Sequence, residues 1–270
     1  MSIPPGAVDT HAHVFEPELP MEAGRRYTPA YAALLSDYLT QLDHNGLERG
    51  VLVQPSFLGT DNSYLVDALR RAEGRCKGVA QLMPDVSPAA LSKLDSAGIT
   101  GMRLNLMGRP EPDLRDPAWR DLLKELNHMG WHIELHCPHT QLPAVLAPLL
   151  EADCRVVVDH FGRPDFKSET DLSQLDYLCT QGASGQLWVK ISAPYRIWDR
   201  PAPADYAAAI GVLLSRLGAE RLMWGSDWPH TQFEEGNAMS ASLSFFLGAI
   251  SDPDVVTQVL AKTPHTFFGF

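Results

Sequence analysis

The chain has 270 residues, 45% of them apolar and 20% charged, and carries a formal net charge of −11. That length buries a large core, and the acidic balance argues against nucleic acid or an anionic membrane surface as partner. The four cysteines (Cys76, Cys137, Cys154, Cys179) lack CxxC or finger spacing, which points away from a zinc ribbon or a disulfide framework and toward reduced thiols in the cytoplasm. Short apolar runs then alternate with longer amphipathic ones. A strand is predicted over 7–13 and a helix over 30–45, then strand 50–54 and helix 64–73, strand 78–83 and helix 88–97, strand 101–106 and helix 118–128. The second half repeats the order: strand 132–136 and helix 141–151, strand 155–160 and helix 171–181, strand 187–192 and helix 203–217, strand 221–226 and helix 240–249, with a last helix over 252–262. Residues 1–5 form no apolar leader, and no run reaches membrane-spanning length.

Several strands are apolar throughout, as Val51-Leu52-Val53 and Val156-Val157-Val158 show. Parallel strands covered on both faces read this way. Eight βα units in this length predict one α/β domain over 1–270, a (β/α)8 TIM barrel. No glycine-rich turn of GxGxxG type follows the first strand, which argues against a dinucleotide-binding open sheet.

In such a barrel the chemistry sits at the C-terminal strand ends, and nearly every predicted strand ends in polar side chains. The first ends in His11 and His13, two residues apart and therefore on one side of an extended strand. Two imidazoles so placed can share a metal or polarise one substrate oxygen. The second strand runs into Gln54-Pro55-Ser56, and the fourth carries Arg103 with Arg109 beyond it. The fifth ends in His136, and the sixth in Asp159-His160-Phe161-Gly162-Arg163. The seventh gives Lys190 and Ser192, then Tyr195-Arg196, and the eighth gives Ser226-Asp227-Trp228-Pro229-His230. Asp227, between Trp224 and Trp228, can be partly desolvated and accept a proton from water, or it can cap a helix. Taken singly, Arg103, Arg109, Arg163 and Arg196 read as surface ion pairs. At one end of an acidic barrel they suggest recognition of a small di- or tricarboxylate, because the guanidinium fork matches a carboxylate. His44, His128 and His132 fall at helix ends or a strand start and are read as structural.

With these residues in hand, the chain resembles the lactonase branch of the amidohydrolase superfamily. The resemblance runs from Asp9-Thr10-His11-Ala12-His13 through Asp159–Pro164 and Gly225–His230 to Thr263–Gly269. It implies an amidohydrolase-type (β/α)8 barrel that opens the ring of a carboxylated lactone, with 2-pyrone-4,6-dicarboxylate the leading substrate. It also implies that His11, His13 and His160 hold the scissile carbonyl while Asp227 activates water without a metal. Arg103, Arg109, Arg163, Arg196, Ser56 and Tyr27 match the residues expected to bind the carboxylates. The fourth strand lacks the lysine of a carbamylated binuclear centre. His136 keeps open a zinc site made by His11, His13, His136 and Asp227, and with it a zinc-dependent sugar-acid or muconate-type lactonase or a related decarboxylase. The non-enzymatic alternative is a barrel that binds carboxylates without turnover, which would be expected to have lost Asp227 or a histidine.

Overall fold

A computed structural model describes residues 2–167 and 169–270. Eight parallel strands follow one another in sequence order around a sheet: β1 (Val8–Ala12), β2 (Arg49–Val53), β3 (Cys76–Gln81), β4 (Ile99–Asn105), β5 (His132–His136), β6 (Val156–Val158), β7 (Leu187–Ser192) and β8 (Leu222–Gly225). Helices fill the crossovers: α1 (Leu35–His44), α2 (Ser63–Arg71), α3 (Pro88–Ser96), α4 (Pro117–His128), α5 (Leu142–Glu151), α6 (Asp176–Gln181), α7 (Pro203–Leu217) and α8 (Met239–Ala249). This is the (β/α)8 barrel that the apolar strands predicted. Local chemistry starts several helices where the sequence placed them. Ser87 and Asp116 accept from Ala90 N and Ala118 N, each ahead of a proline at the first helical position.

The departures from the predicted elements have physical causes. The first helix begins at Leu35, because Ala33 pairs with Phe15 through two backbone hydrogen bonds and holds the preceding loop extended. The sixth strand stops at Val158, because His160, Phe161 and Arg163 turn to positive φ. The final helix divides into α9 (Pro253–Thr257), a wider π turn (Gln258–Lys262) and α10 (Thr263–Phe268). Pro264 has no N–H and its ring displaces the carbonyl four residues back, which fits the wider turn just before it.

Inside the barrel the floor is apolar. Val8, Val51, Val53, Val79, Val157 and Met223 form one buried cluster with Phe267 and Phe268, which plug the N-terminal end. Burying each such valine contributes roughly 1.5–3 kcal/mol. His132 stacks edge-on against both phenylalanines, at the end away from the polar strand termini. Among the described residues no helix is long and apolar enough to cross a membrane, and all four cysteines are buried and free.

The seam between β1 and β8 closes the barrel. Asp227 N donates to His11 O and His13 N donates to Trp228 O, both at 2.8 Å. Buried Asp9 ties the seam from the outside: its carboxylate accepts from Ser226 N (2.7 Å), Ser226 Oγ (2.6 Å), Tyr38 Oη (3.1 Å) and His11 N (3.2 Å). Gly225 permits the approach, since a Cβ there would lie 2.7 Å from His11 Cβ. Asp9→Ala would strand several buried donors and is expected to lower the unfolding free energy by about 3 kcal/mol. Urea denaturation checks this; a loss under about 1 kcal/mol would show that the seam does not depend on Asp9.

Candidate active site

The closed seam sets the first and last strands side by side, and their polar ends meet. A register shift in β1 between Asp9 and Ala12 accompanies the turn of His11 and His13 toward the interior, with ring centroids 5.0 Å apart. Asp227 follows β8 at φ 60°, and His160 follows β6 at φ 50°. Among the described residues, every non-glycine residue with positive φ except Glu73 and Asp153 lies at this end of the barrel. Left-handed backbone costs free energy for such residues and is retained here where the side chains converge.

The convergence centres on one oxygen. Asp227 Oδ1 lies 3.8 Å from His11 Nε2, 3.9 Å from His13 Nε2 and 3.9 Å from His160 Nε2. These gaps exceed a direct hydrogen bond and leave space for one small reacting group. The other oxygen is fully held: Tyr195 Oη and Arg196 Nε both donate to Oδ2 at 2.6 Å. Burial alone would raise the Asp227 pKa, but Arg196, then His11 and His13, hold the carboxyl well below its ordinary range. It is ionised at neutral pH.

Each imidazole is set by what its other nitrogen meets. His13 Nδ1 lies 2.7 Å from Val53 O, which only accepts, so a neutral His13 carries its hydrogen there and leaves Nε2 bare. Burial, then the charges of Arg103 and His11, hold His13 well below its usual pKa, in the neutral form. His160 Nδ1 meets Ser192 Oγ at 2.8 Å, and burial followed by His136 and His11 keeps it neutral too. His11 stands on a buried charge cluster, with Nδ1 3.1 Å from Lys190 Nζ, 3.2 Å from Asp159 Oδ1 and 3.3 Å from Glu134 Oε1. Burial opposes its charge, but Asp159 pushes its pKa up. With Lys190 donating to Nδ1, or with both ring nitrogens protonated, Nε2 carries a hydrogen toward Asp227.

Above these groups opens a cavity of about 170 Å³. Arg26, Arg103, Arg163 and Arg196 line it with Ser56, Tyr27, His13, His136, His160 and Asp227. Arg103 is anchored, donating to Gln54 O at 2.9 Å and lying 3.8 Å from Asp159 Oδ2. Arg163 has no acceptor among the described residues; burial, then Arg196, pull its pKa down to about 10, so it remains charged. Arg196 is shared between Asp227 and Thr231 O. Tyr27 lines the wall and donates to Glu234 Oε1 at 2.7 Å. Arg109, expected in the site, instead pairs with Glu22 and is not among the lining residues. Sequence reasoning missed Arg26, which sits in the long loop between β1 and α1 where no periodicity marks a site. It also passed over Glu134, although a glutamate in the middle of the buried run His132-Ile133-Glu134-Leu135-His136 signals a partnered interior charge.

The donor set suits a single zinc ion in part. His11, His160 and Asp227 place their ligand atoms within 4.8 Å of one another, and the bare His13 Nε2 faces the same carboxylate oxygen. His11 would join by giving up its Nε2 hydrogen and donating Nδ1–H to Asp159, the arrangement in which a carboxylate supports a metal-bound imidazole. His136, expected as a ligand, groups with Asp159 and His160 and not with Asp227. Its Nδ1 faces Arg103 Nη2 at 3.5 Å, which keeps the hydrogen on Nε2.

Comparison with known proteins follows this geometry. The chain is 32% identical over 250 residues to a 2-pyrone-4,6-dicarboxylate hydrolase of Comamonas testosteroni, covering 86% of this chain and 80% of that one. It is 31% identical over 287 residues to a 4-sulfomuconolactone hydrolase of Rhizobium radiobacter, covering 99% and 91%. A crystal structure from Acinetobacter baumannii, provisionally named a 2-pyrone-4,6-dicarboxylic acid hydrolase and solved with citric acid bound, superimposes with a TM-score of 0.92 at 33% identity, covering 98% of this chain and all of that one. The amidohydrolase family model matches residues 8–270, and the chain belongs to that family.

Proposed function

We propose that this protein is a lactone hydrolase that opens the ring of 2-pyrone-4,6-dicarboxylate. The observation that carries the reading is Asp227 Oδ1, left free and ringed by three imidazoles beneath four arginines. The relatives act by name on cyclic esters bearing acidic groups, and a structural neighbour holds a tricarboxylate. Arg163 and Arg103 would take one ring carboxylate, with Ser56 and Tyr27 at the wall. That docking puts the lactone carbonyl toward His11 and His160; Nε2–H of His11, and that of His160 with Ser192 Oγ donating to its Nδ1, would donate to the carbonyl oxygen as charge develops.

Water would sit between Asp227 Oδ1 and the bare His13 Nε2, donating one hydrogen to each. Asp227 takes a proton as the water oxygen bonds to the carbonyl carbon. The tetrahedral intermediate then collapses, breaking the ring C–O bond, and Asp227 returns that proton to the departing enol oxygen. His13 therefore acts as a water acceptor here, not as a third carbonyl donor. Because Arg196 keeps Asp227 strongly acidic, Asp227 is a weak base. Much of the rate gain must come from the donors on the carbonyl. Four free buried thiols suit work in a reducing compartment, the cytoplasm.

One observation favours a second reading, a zinc-dependent lactonase. A bare His13 Nε2 and an ionised carboxylate oxygen face each other at 3.9 Å, a pairing of lone pairs that a cation would relieve. Zinc held by His11, His13, His160 and Asp227 would supply an acidified water and a Lewis acid. Against it stands Lys190, whose ammonium at 3.1 Å from His11 Nδ1 favours the tautomer with hydrogen on Nε2.

Two experiments test these readings. Asp227→Asn is expected to lower kcat for the pyrone, followed by loss of ring ultraviolet absorbance, by about 10²–10⁴-fold, with far-ultraviolet circular dichroism unchanged. Turnover within tenfold of the wild type would remove Asp227 as the base. Dialysis against 1,10-phenanthroline is expected to leave activity intact, with metal analysis showing well under one zinc per chain. Stoichiometric zinc whose removal abolishes turnover would establish the second reading.

A further inference from the structure

Arg26 is the one cavity arginine supplied by the β1–α1 loop, and the loop is built to hold it. Glu22 N donates to Phe57 O at 2.8 Å, and the Glu22 carboxylate pairs with Arg109 across the mouth. Arg25 bonds Thr28 Oγ1 and Glu22 O. On the far side, Tyr27 and Tyr31 both donate to Glu234 Oε1 at 2.7 Å, clipping the loop to the segment that carries Thr231, Gln232 and Phe233. The Arg26 stem rests on Gly108, where φ is +68° and a Cβ would stand 3.0 Å from Arg26 Cδ. Arg25 and Arg109, its cationic neighbours on this rim, have acceptors. Arg26 has none among the described residues. Burial, then the charges of Arg103, Arg109 and Arg196, disfavour its cation. Water reaches the N–H donors of this exposed side chain, but a guanidinium that lines the cavity beside like charges, with no acceptor among the described residues, favours an anion that replaces that water.

We infer that Arg26 is a specificity-determining residue that binds the outer of two acidic groups on the substrate, while Arg163 and Arg103 bind the inner one. This rests on the lactonase reading for the identity of the substrate, though not for the site's demand for two anionic groups. With Arg103 set against Asp159, the remaining three arginines against Asp227 leave the cavity two positive charges in excess. Dianions therefore gain more than monoanions, and the margin resides at the mouth. Arg26 contacts substrate but not the reacting atoms, so its effect falls on binding.

The test compares wild type with Arg26→Met and Arg26→Lys by calorimetric titration, using pyridine-2,4-dicarboxylate, pyridine-2-carboxylate and pyridine-4-carboxylate as non-hydrolysable probes. In Arg26→Met the Kd for the diacid is expected to rise about 10–100-fold, and that for the tighter monoacid by less than about threefold. Arg26→Lys should recover part of the loss, since it restores charge without the fork. With the pyrone itself, the Met variant should raise KM by a similar factor with kcat within about threefold. Equal weakening of diacid and monoacid, or no weakening of either, overturns the assignment. Wild-type protein that binds the diacid but fails to hydrolyse the pyrone would refute the proposed reaction and leave the Arg26 comparison decisive on its own.

Discussion

Two backbone hydrogen bonds at the barrel seam, Asp227 N to His11 O and His13 N to Trp228 O, hold the rest of the site together. They join the first strand to the segment after the last. That alone brings a histidine pair and a carboxylate separated by more than two hundred residues within 4 Å. The Asp9 carboxylate and the bare Cα of Gly225 serve the same contact, one by pulling and one by leaving room. Assembly of this cluster and closure of the barrel are one structural event.

The seam places the reactive groups, and layered charge sets their state. Below, Lys190 and Arg103 face Glu134 and Asp159, so the deepest carboxylates are compensated within the barrel. In the middle, Arg196 and Tyr195 fix one oxygen of Asp227 and leave the other exposed to the imidazoles. At the top, Arg163 and Arg26 have no acceptor among the described residues. A chain with a net charge of −11 thus concentrates unpaired positive charge at the mouth of the cavity. Against a net field that repels anions, that charge makes the mouth locally attractive to them.

The barrel and the grouping of His11, His13, His160 and Asp227 were legible because both follow strand ends. Apolar strands of regular spacing announce parallel β structure, and His11, His13, His160 and Asp227 each close one, where barrel geometry leaves little freedom. Loops carry no such period. Arg109 resembled the other arginines in sequence, but its nearest carboxylate, Glu22, lies 87 residues away and claims it. Arg26 takes a place at the mouth through a loop whose course depends on the Phe15–Ala33 pairing and on Glu234, neither visible as a motif. The tautomers of His11, His13 and His136 were equally hidden, since each is decided by a partner on another strand. The same holds for the shortened sixth strand, where the side chains needed at the mouth override the apolar pattern.

The seam also carries a consequence for synthesis. Asp9 must wait for Ser226, 217 residues later, before its carboxylate has a partner across the seam. At ribosomal speeds that interval is on the order of 10–40 s. Throughout it β1 is an open sheet edge bearing two histidines and a carboxylate that lacks its two Ser226 donors. The nascent barrel is therefore an incomplete and adhesive object for most of its elongation, and its chemistry switches on in a single late step when the last strand docks against the first. Until the segment after the last strand arrives, the hydrogen bonds that bring Asp227 to His11 and His13 cannot form, so no shorter stretch of the chain holds the whole cluster.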